Sequence, residues 1–540
     1  MKRYIKYILP TAALALSLGM TSCSDVLEIS PTDPDVVISA TPEQLLNKCY
    51  ANIAVAGQGG ANGDCDVDGL DGGTTGYVRQ LFNANELTTD EAICGWGDEG
   101  ISAFDYNTFD ASHPMLRGFY YRLYFGVTVC NDYLSKFSDK SKKMTAECRF
   151  LRALNYYELM DCYGNVPFTT ELNTIPAQIK RADLYKWIET ELLAIENDLA
   201  DPQPKKSTDK GYGSVDRVAD WMLLTRLYLN AEVYTGKAEW AKAKEYAKKV
   251  MDSPYKLYQT AKTDPEGQKW SAYQQLFMGD NGENGASVEA IFPILQDGVK
   301  TTSWGTSLFL MAGCTDGKEQ LKKSGALGNG TTASWGGNRC RPDLIRKFFP
   351  NDDAPENVTA YAMPEAAGDD RAIFDGNGRT LENTEVGTFN NGFACCKFNN
   401  FTTDGSATHN DQFCDADFFL LRSAEAYLAY AEADARLNNG GTTKEGAEAI
   451  NALRKRANAE TKSTYNLKEI CDEWSREFYF EGLRRPTLIR FGYYGGNNSY
   501  MWQWKGGAKN GTKFSANKNI FAIPTQDLVT NSNLVQNPGY

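Results

Sequence analysis

Histidine is nearly absent from this chain of 540 residues, in which His113 and His409 are the only two. So few histidines exclude His-rich zinc sites and leave at most one histidine for a Ser-His or Cys-His dyad. No C-x-x-C pair occurs, and no G-x-x-x-x-G-K-[ST] sequence supports nucleotide binding. Basic residues are also in the minority, 56 against 69 acidic ones, and the formal net charge of −13 disfavours nucleic acid as a partner.

Long apolar runs are missing after the N-terminus, since no later stretch approaches the roughly 18 apolar residues of a spanning helix. At the N-terminus, basic residues precede an apolar run and then Met20-Thr21-Ser22-Cys23. This order predicts a secretory signal peptide over residues 1–22. A cysteine after small residues also resembles a bacterial lipobox, which predicts that Cys23 is lipidated. Ordinary cleavage, with Cys23 as one more thiol, is the alternative. Residues 23–40 lack helical period and predict a tether.

Aromatic residues are abundant, with 29 Tyr, 26 Phe and 10 Trp. Hydrophobic residues make up 42% of the chain and charged residues 23%, which predicts a folded protein with a large core. Twelve cysteines remain after Cys23. In a chain of this size they are typical of small buried hydrophobic side chains. One or two disulfides are the alternative for an exported protein.

Apolar residues recur with helical period over much of residues 41–540, which predicts a body dominated by α-helices. The pattern Trp221-x-x-Leu224-x-x-x-Tyr228 fits the first helix of a tetratricopeptide repeat, a unit that stacks helix pairs into a curved scaffold. Between about 272 and 410, glycine, asparagine and threonine are frequent and helical period is rare. This insert predicts long irregular loops that carry the ligand site.

Four groups of motifs, in order along the chain, carry a resemblance to a known family. They are Ala146–Pro167, Leu421–Leu428, Arg476–Gly482 with Leu488–Gly492, and Ile523–Pro524 with Asn533–Tyr540. In these stretches the chain resembles the SusD/RagB family of Bacteroidetes outer-membrane lipoproteins, with a departure at Thr487, where an aspartate is expected. The resemblance implies four tetratricopeptide-type helix pairs, a lipid anchor at the cell surface, and glycan capture for a SusC-like TonB-dependent transporter.

Further stretches resemble the starch-binding members of this family. They are Asp66–Asp71, Phe82–Leu87, Gln296–Thr301 and Trp502–Ala508. The resemblance implies α-glucans as ligands, namely starch, maltooligosaccharides and cyclodextrin, and assigns them to six residues. These are Asp71, Arg79, Trp96, Glu99, Trp304 and Trp335. Two departures matter: Cys94 stands where a tryptophan is expected, and Glu99, or Asp98, where an asparagine is expected.

The residue types themselves suit a sugar ligand. Each of the three tryptophans is bordered by glycine, which is typical of loops rather than of core elements. An aromatic face stacks on the C–H face of a sugar ring. Carboxylates and guanidinium groups bind the hydroxyls, most strongly when charged. The alternative is that these tryptophans only pack under long loops.

A calcium site is a further implication of the resemblance, because carboxylate and amide oxygens suit this hard cation. The implied ligands are Asp280, Gln296, Asp415 and Asp417, and Gly282 falls near another aspartate of the family pattern. The alternative is that Asp415 and Asp417 cap a helix that begins at Phe418.

Catalysis has weak support in the sequence. Glu473, Glu477 and Glu481 are spaced i, i+4, i+8, which suits either paired catalytic carboxylates or an internal ion-pair network. Ser406, His409 and Asp411 are close in sequence, but no G-x-S-x-G precedes them, which favours a plain loop. We therefore expect a binding protein and not an enzyme. A different glycan or a peptide as cargo is the first alternative, and a glycoside hydrolase is the second.

Overall fold

The structure, a computed structural model, describes residues 39–540. The predicted signal peptide, most of the tether and the lipidation site Cys23 lie outside the described residues. Residues 46–540 form one compact unit. Within the described residues there are 17 α-helices, which with their short 3-10 turns make the chain 41% helical. The helices are α1 Pro42–Ala54, α2 Tyr77–Phe82, α3 Ile101–Asp105, α4 Pro114–Phe137, α5 Lys142–Tyr163, α6 Arg181–Ile195, α7 Arg217–Leu229, α8 Ala231–Thr235, α9 Trp240–Asp252, α10 Ser307–Ala312, α11 Pro342–Ile345, α12 Met363–Ala367, α13 Ser423–Leu437, α14 Lys444–Arg456, α15 Leu467–Phe478, α16 Arg484–Arg490 and α17 Thr525–Thr530.

Local capping explains where several helices begin. At the start of α1, Thr41 and Gln44 satisfy each other's backbone N–H groups, at 2.9 and 3.3 Å, and Pro42 occupies the first turn. Asn466 and Glu469 make the same reciprocal arrangement at α15. The sequence Thr41-Pro42-Glu43, with threonine as N-cap and proline in the first turn, predicts this helix start, and the structure confirms it.

The long helices pack as neighbours in sequence order and across it. Helix α4 packs on α5 and α5 on α6, while α9 lies between α7 and α13, and α13 also packs on α14. Buried aliphatic and aromatic side chains such as Phe150, Leu154, Leu224 and Tyr228 fill the interfaces. The helix-rich scaffold is confirmed, and the count of four tetratricopeptide units stays a prediction. None of the helices between residues 39 and 540 is long and apolar enough to cross a membrane.

Short strands form five antiparallel pairs among the described residues, of which β1 with β7 and β6 with β10 join segments far apart in the sequence. One stretch differs from its prediction: residues 418–422 form a strand, and the helix begins only at Ser423. All five strand residues are buried, so a short apolar run here fits a strand as well as a helix. The pairs are β1 Ala92–Cys94 with β7 Asn338–Cys340, β2 Val166–Pro167 with β3 Gln178–Ile179, β4 Lys262–Thr263 with β5 Lys269–Trp270, β6 Ala290–Ile294 with β10 Phe418–Arg422, and β8 Phe374–Asp375 with β9 Ala394–Cys395.

Candidate functional site

A strand pair brings two of the predicted tryptophans together. Cys94 in β1 lies opposite Asn338 in β7, so the loops that adjoin these strands meet. The indole Nε1 of Trp96 donates to the carbonyl oxygen of Gly336 at 3.1 Å, directly beside Trp335. Gly337 permits this contact, because a Cβ there would lie 2.2 Å from Trp96 Nε1. Trp335 is the most open of the three tryptophans, with 37% of its surface exposed.

Trp304 joins the same cluster from a different loop. Its ring centroid lies 6.1 Å from that of Trp335, and the two planes are tilted by 49°. The loop is fastened to the start of α2, where Arg79 N donates to the carbonyl oxygen of Gly305 at 3.0 Å. Gly76 allows this close approach, since a Cβ there would lie 2.5 Å from Gly305 O.

Arg79 is a buried cation beneath this aromatic surface. Its guanidinium carbon lies 5.5 Å from the ring centroid of Trp96 and 5.2 Å from that of Phe309, which are cation–π distances. Burial lowers the pKa of Arg79, and the charges of Asp71 and Asp98 raise it. The charges of two carboxylates therefore act on the buried cation. Charged donors and acceptors of this kind make strong hydrogen bonds to hydroxyl groups.

Asp71 lies at the edge of the cluster on the loop before α2. Its carboxylate accepts from Thr74 N at 3.0 Å and from Thr74 Oγ1 at 2.6 Å. Desolvation alone would raise the pKa of Asp71, but these hydrogen bonds and the charge of Arg79 hold the pKa below its usual value. Asp71 therefore stays an anionic acceptor.

The structure brings five of the six predicted residues into one cluster, which we call the tryptophan cluster: Asp71, Arg79, Trp96, Trp304 and Trp335. Asp98 and Glu99 are both exposed on the loop that leads to α3, and the charge of Asp98 acts on Arg79. The expectation offered both positions, and the choice between them stays a prediction.

Two further aromatic residues contact the tryptophan cluster and are not predicted by the sequence. The Phe413 ring lies 4.7 Å from Trp304, and the Phe309 ring lies 6.0 Å from Trp96. Phe309 belongs to the apolar helix α10 and has the pattern of a core residue. Phe413 follows a polar loop without any motif. Only its contact with Trp304 identifies it.

Outside the tryptophan cluster, the four predicted calcium ligands line a cavity of about 560 Å³, together with Glu283 and Asp297. Asp415 Oδ1 is buried and has no hydrogen-bond partner within residues 39–540, while Oδ2 accepts from His409 Nδ1 at 2.8 Å. Burial raises the pKa of Asp417 to about 7, against hydrogen bonds such as that from Tyr212, and the charges of Glu283 and Asp415 add to the rise. A hard cation would relieve this crowding of carboxylates.

The other two predicted ligands, Asp280 and Gln296, already make hydrogen bonds to neighbouring residues. Asp280 Oδ2 accepts from Thr403 N at 2.9 Å. The side-chain oxygen of Gln296 already accepts from Thr306 Oγ1 at 2.7 Å, and it is the backbone N–H of Gln296 that donates to Asp417 Oδ1 at 2.8 Å. The helix-cap alternative for Asp415 and Asp417 is wrong, because a strand follows them.

The carboxylates considered for catalysis lie in the interior. Glu473 and Glu477 are fully buried, and burial alone would raise the pKa of each, but neighbouring arginines hold both pKa values well below the usual range. A general acid needs the opposite shift. The ion-pair interpretation is therefore confirmed for the three glutamates, whose partners are Arg371, Lys397, Arg422, Arg454, Arg456 and Arg476.

The Ser-His-Asp sequence is a loop, as expected. His409 pairs with Asp415, and Ser406 bonds to Thr402. These partners leave Ser406 and His409 without the contact that a nucleophile and its base require.

Comparison with known proteins gives a relative that matches along the full length of the chain. The chain is 38% identical over 577 aligned positions to the starch-binding protein SusD of Bacteroides thetaiotaomicron, covering 100% of this chain and 99% of that protein. A family model described as "SusD family" matches residues 368–540. Another, described as "Starch-binding associating with outer membrane", matches residues 84–235.

Solved structures share the fold. A SusD superfamily protein from Parabacteroides distasonis has a TM-score of 0.67 at 18% identity, covering 93% of this chain and 100% of that one. Surface glycan-binding protein A from Bacteroides thetaiotaomicron, in complex with laminarihexaose, has a TM-score of 0.63 at 18% identity, covering 92% and 98%. At such identities the likeness concerns the fold alone.

Proposed function

Because the chain belongs to the SusD family, we propose that it is a cell-surface glycan-binding lipoprotein whose ligands are starch and maltooligosaccharides. In this role it captures α-glucan outside the cell and delivers it to a SusC-like TonB-dependent transporter for nutrient uptake. Cys23 carries the lipid anchor in the outer membrane. The 38% identity to a protein named for starch binding supports the choice of glycan.

The observation that carries the proposal is the tryptophan cluster. Trp304 and Trp335 are tilted by 49° and do not stack on each other, so each ring can offer a face to a different sugar. Helical α-glucans present a curved run of sugar rings, whose C–H faces suit such a surface. Arg79 and the carboxylates of Asp71 and Asp98 supply a donor and acceptors for the hydroxyls.

Binding here is weak enough to allow release. Each aromatic contact contributes about 0.5–1.5 kcal/mol beyond the burial of its area, so a few contacts give a modest affinity. A long polymer that touches many anchored copies is nevertheless retained through multivalency. The transporter then receives a glycan that no single site holds tightly.

The same proposal includes a structural calcium ion. Asp280, Asp415 and Asp417 would hold it, and it would supply positive charge to a cavity that otherwise collects carboxylates. The ion has no role in catalysis, because the proposed function has no chemical step.

Titration calorimetry of the purified protein tests the proposal. We expect maltoheptaose and cyclodextrin to bind, and levan, inulin and laminarihexaose to bind at least tenfold more weakly. Trp335→Ala should weaken α-glucan binding about tenfold, which corresponds to about 1.4 kcal/mol. Tyr361→Ala is the matched control, since Tyr361 is also an aromatic residue with 38% exposure.

Three outcomes would contradict parts of the proposal. Laminarihexaose binding without maltoheptaose binding would replace starch with a β-glucan. Unchanged α-glucan affinity in Trp335→Ala would show that the glycan binds outside the tryptophan cluster. Release of reducing ends from starch would indicate a glycoside hydrolase.

A further inference from the structure

Three cysteines from three helices meet in the protein core. Cys49 lies in α1, Cys130 in α4 and Cys148 in α5, and each is at most 2% exposed. Their Sγ atoms all lie within 4.8 Å of one another. Within residues 39–540 no other group of three or more His, Cys, Asp or Glu ligand atoms is this compact.

The spacing suits a metal ion. Structural zinc is four-coordinate and tetrahedral. With metal–sulfur bonds of about 2.3 Å, three sulfurs of such a site lie about 3.8 Å apart, and a water molecule would take the fourth position. The observed limit of 4.8 Å leaves only a small contraction for the sulfurs to make. Cysteine thiolates are soft ligands, which select d¹⁰ ions such as zinc over calcium or magnesium.

A buried cation stands beside the sulfurs. Arg152 lies one helical turn after Cys148 in α5, and its Nε is buried without a hydrogen-bond partner in the described part of the chain. The other nitrogens of its guanidinium donate to Asn131 at 2.9 Å and to Glu191 at 3.0 Å. A hydrogen bond with Cys148 and burial raise the pKa of Cys130, and burial raises the pKa of Cys148, whereas the charge of Arg152 lowers both.

The charges balance for a divalent ion. Glu191 is shared by Arg149 and Arg152, so these three groups together carry +1. Three thiolates with one divalent ion carry −1, which this positive group offsets. A monovalent ion would leave −2 in the core, and burying an unbalanced charge is costly.

We propose that Cys49, Cys130 and Cys148 form a trithiolate site for a soft divalent d¹⁰ cation, with zinc as the physiological candidate. Binding forms three metal–sulfur bonds and releases the three thiol protons to solvent, with no change of oxidation state. The closed surroundings mean that the ion enters during folding. Its role is structural, because it ties α1 to the α4–α5 pair.

Cadmium provides the direct probe of this site. The full chain is refolded with one equivalent of Cd²⁺, and the sulfur-to-cadmium charge-transfer band is recorded beside the metal content by mass spectrometry. We expect one bound ion and a band in the wild type. Cys148→Ser should lose both, while Cys471→Ser, which removes another buried cysteine on α15, should keep both.

A second measurement does not depend on the variants folding. Zinc K-edge absorption of the zinc-loaded wild type should show three sulfur neighbours at about 2.3 Å. The proposal is overturned by a wild type that binds no ion, by a band that persists in Cys148→Ser, or by an absorption edge that shows fewer than three sulfur neighbours. A disulfide between two of the three cysteines, found by peptide mapping of the alkylated wild type, also overturns it.

Discussion

At the scale of single residues, an unsatisfied atom is the clearest sign of an absent ligand. Asp415 Oδ1 is buried and has no donor among the described residues, and a buried acceptor left unsatisfied costs about 1–3 kcal/mol. The neighbouring carboxylates of Asp297 and Asp417 make this position still less favourable for an anion. A bound cation, as proposed, would supply the compensating charge.

Asp415→Asn should therefore abolish stabilisation by calcium. With calcium at 100 times its dissociation constant, the wild type should gain about 2.7 kcal/mol of unfolding free energy, and the variant almost none. Thermal unfolding of chelator-treated protein, with and without calcium, measures both. Asp404→Asn is the control, because Asp404 lines the same cavity but is exposed and bonded to Ser406. Equal calcium responses in the two variants would remove Asp415 from the ligand set.

At the scale of secondary-structure elements, α15 carries buried ion pairs on one face and an exposed ion pair on the other. Its buried face carries Glu477, which pairs with Arg422 at 2.7 Å and also with Arg456. Its other face carries Lys468 and Asp472, a surface pair at 2.9 Å. A buried charge is costly when it loses a partner, so the pairs on the first face contribute strongly to stability. Water screens the charges on the second face, so that pair contributes little.

Substitutions on the two faces should differ in cost. Glu477→Ala removes a carboxylate that three buried arginines share, Arg371, Arg422 and Arg456, and should lower the free energy of unfolding by about 3–5 kcal/mol. Lys468→Ala, on the same helix, should lower it by about 0.5 kcal/mol or less. Guanidinium unfolding curves give both values. Similar costs would mean that the network contributes no more than a surface pair.

At the scale of the whole molecule, the proposed function depends on attachment to the membrane as well as on the glycan site. A modest affinity per site retains starch only when many copies are held close together. The lipobox at Cys23 predicts that attachment, although it lies outside the described residues.

Cys23→Ala should remove membrane attachment while leaving the glycan site intact. We expect the variant to leave the membrane fraction and the cells to lose starch retention, while the purified protein binds maltoheptaose as before. Fractionation and labelled starch binding to whole cells provide the measurements. Cys65→Ala, which removes a partly exposed cysteine of the described residues, should change neither. A variant that stays in the membrane fraction would show that Cys23 is not the anchor.

Motifs of neighbouring residues made much of this protein predictable. Helical period predicted most long helices, and Thr41 with Pro42 predicted the start of the first, because these signals act within one or two turns. The segment Phe418–Arg422 could not be assigned in this way, since a short buried apolar run suits a strand or a helix until its partner β6 is known.

The sequence by itself determined the residue types of the site: three glycine-bordered tryptophans, a cation and carboxylates that suit sugars. The tertiary structure alone decided which of them meet. Trp96 and Trp335 are joined by the β1–β7 pair across about 240 residues, Phe413 reaches Trp304 from a loop without a motif, and three core cysteines converge from separate helices. Such contacts depend on the packing of distant segments, which no local pattern records.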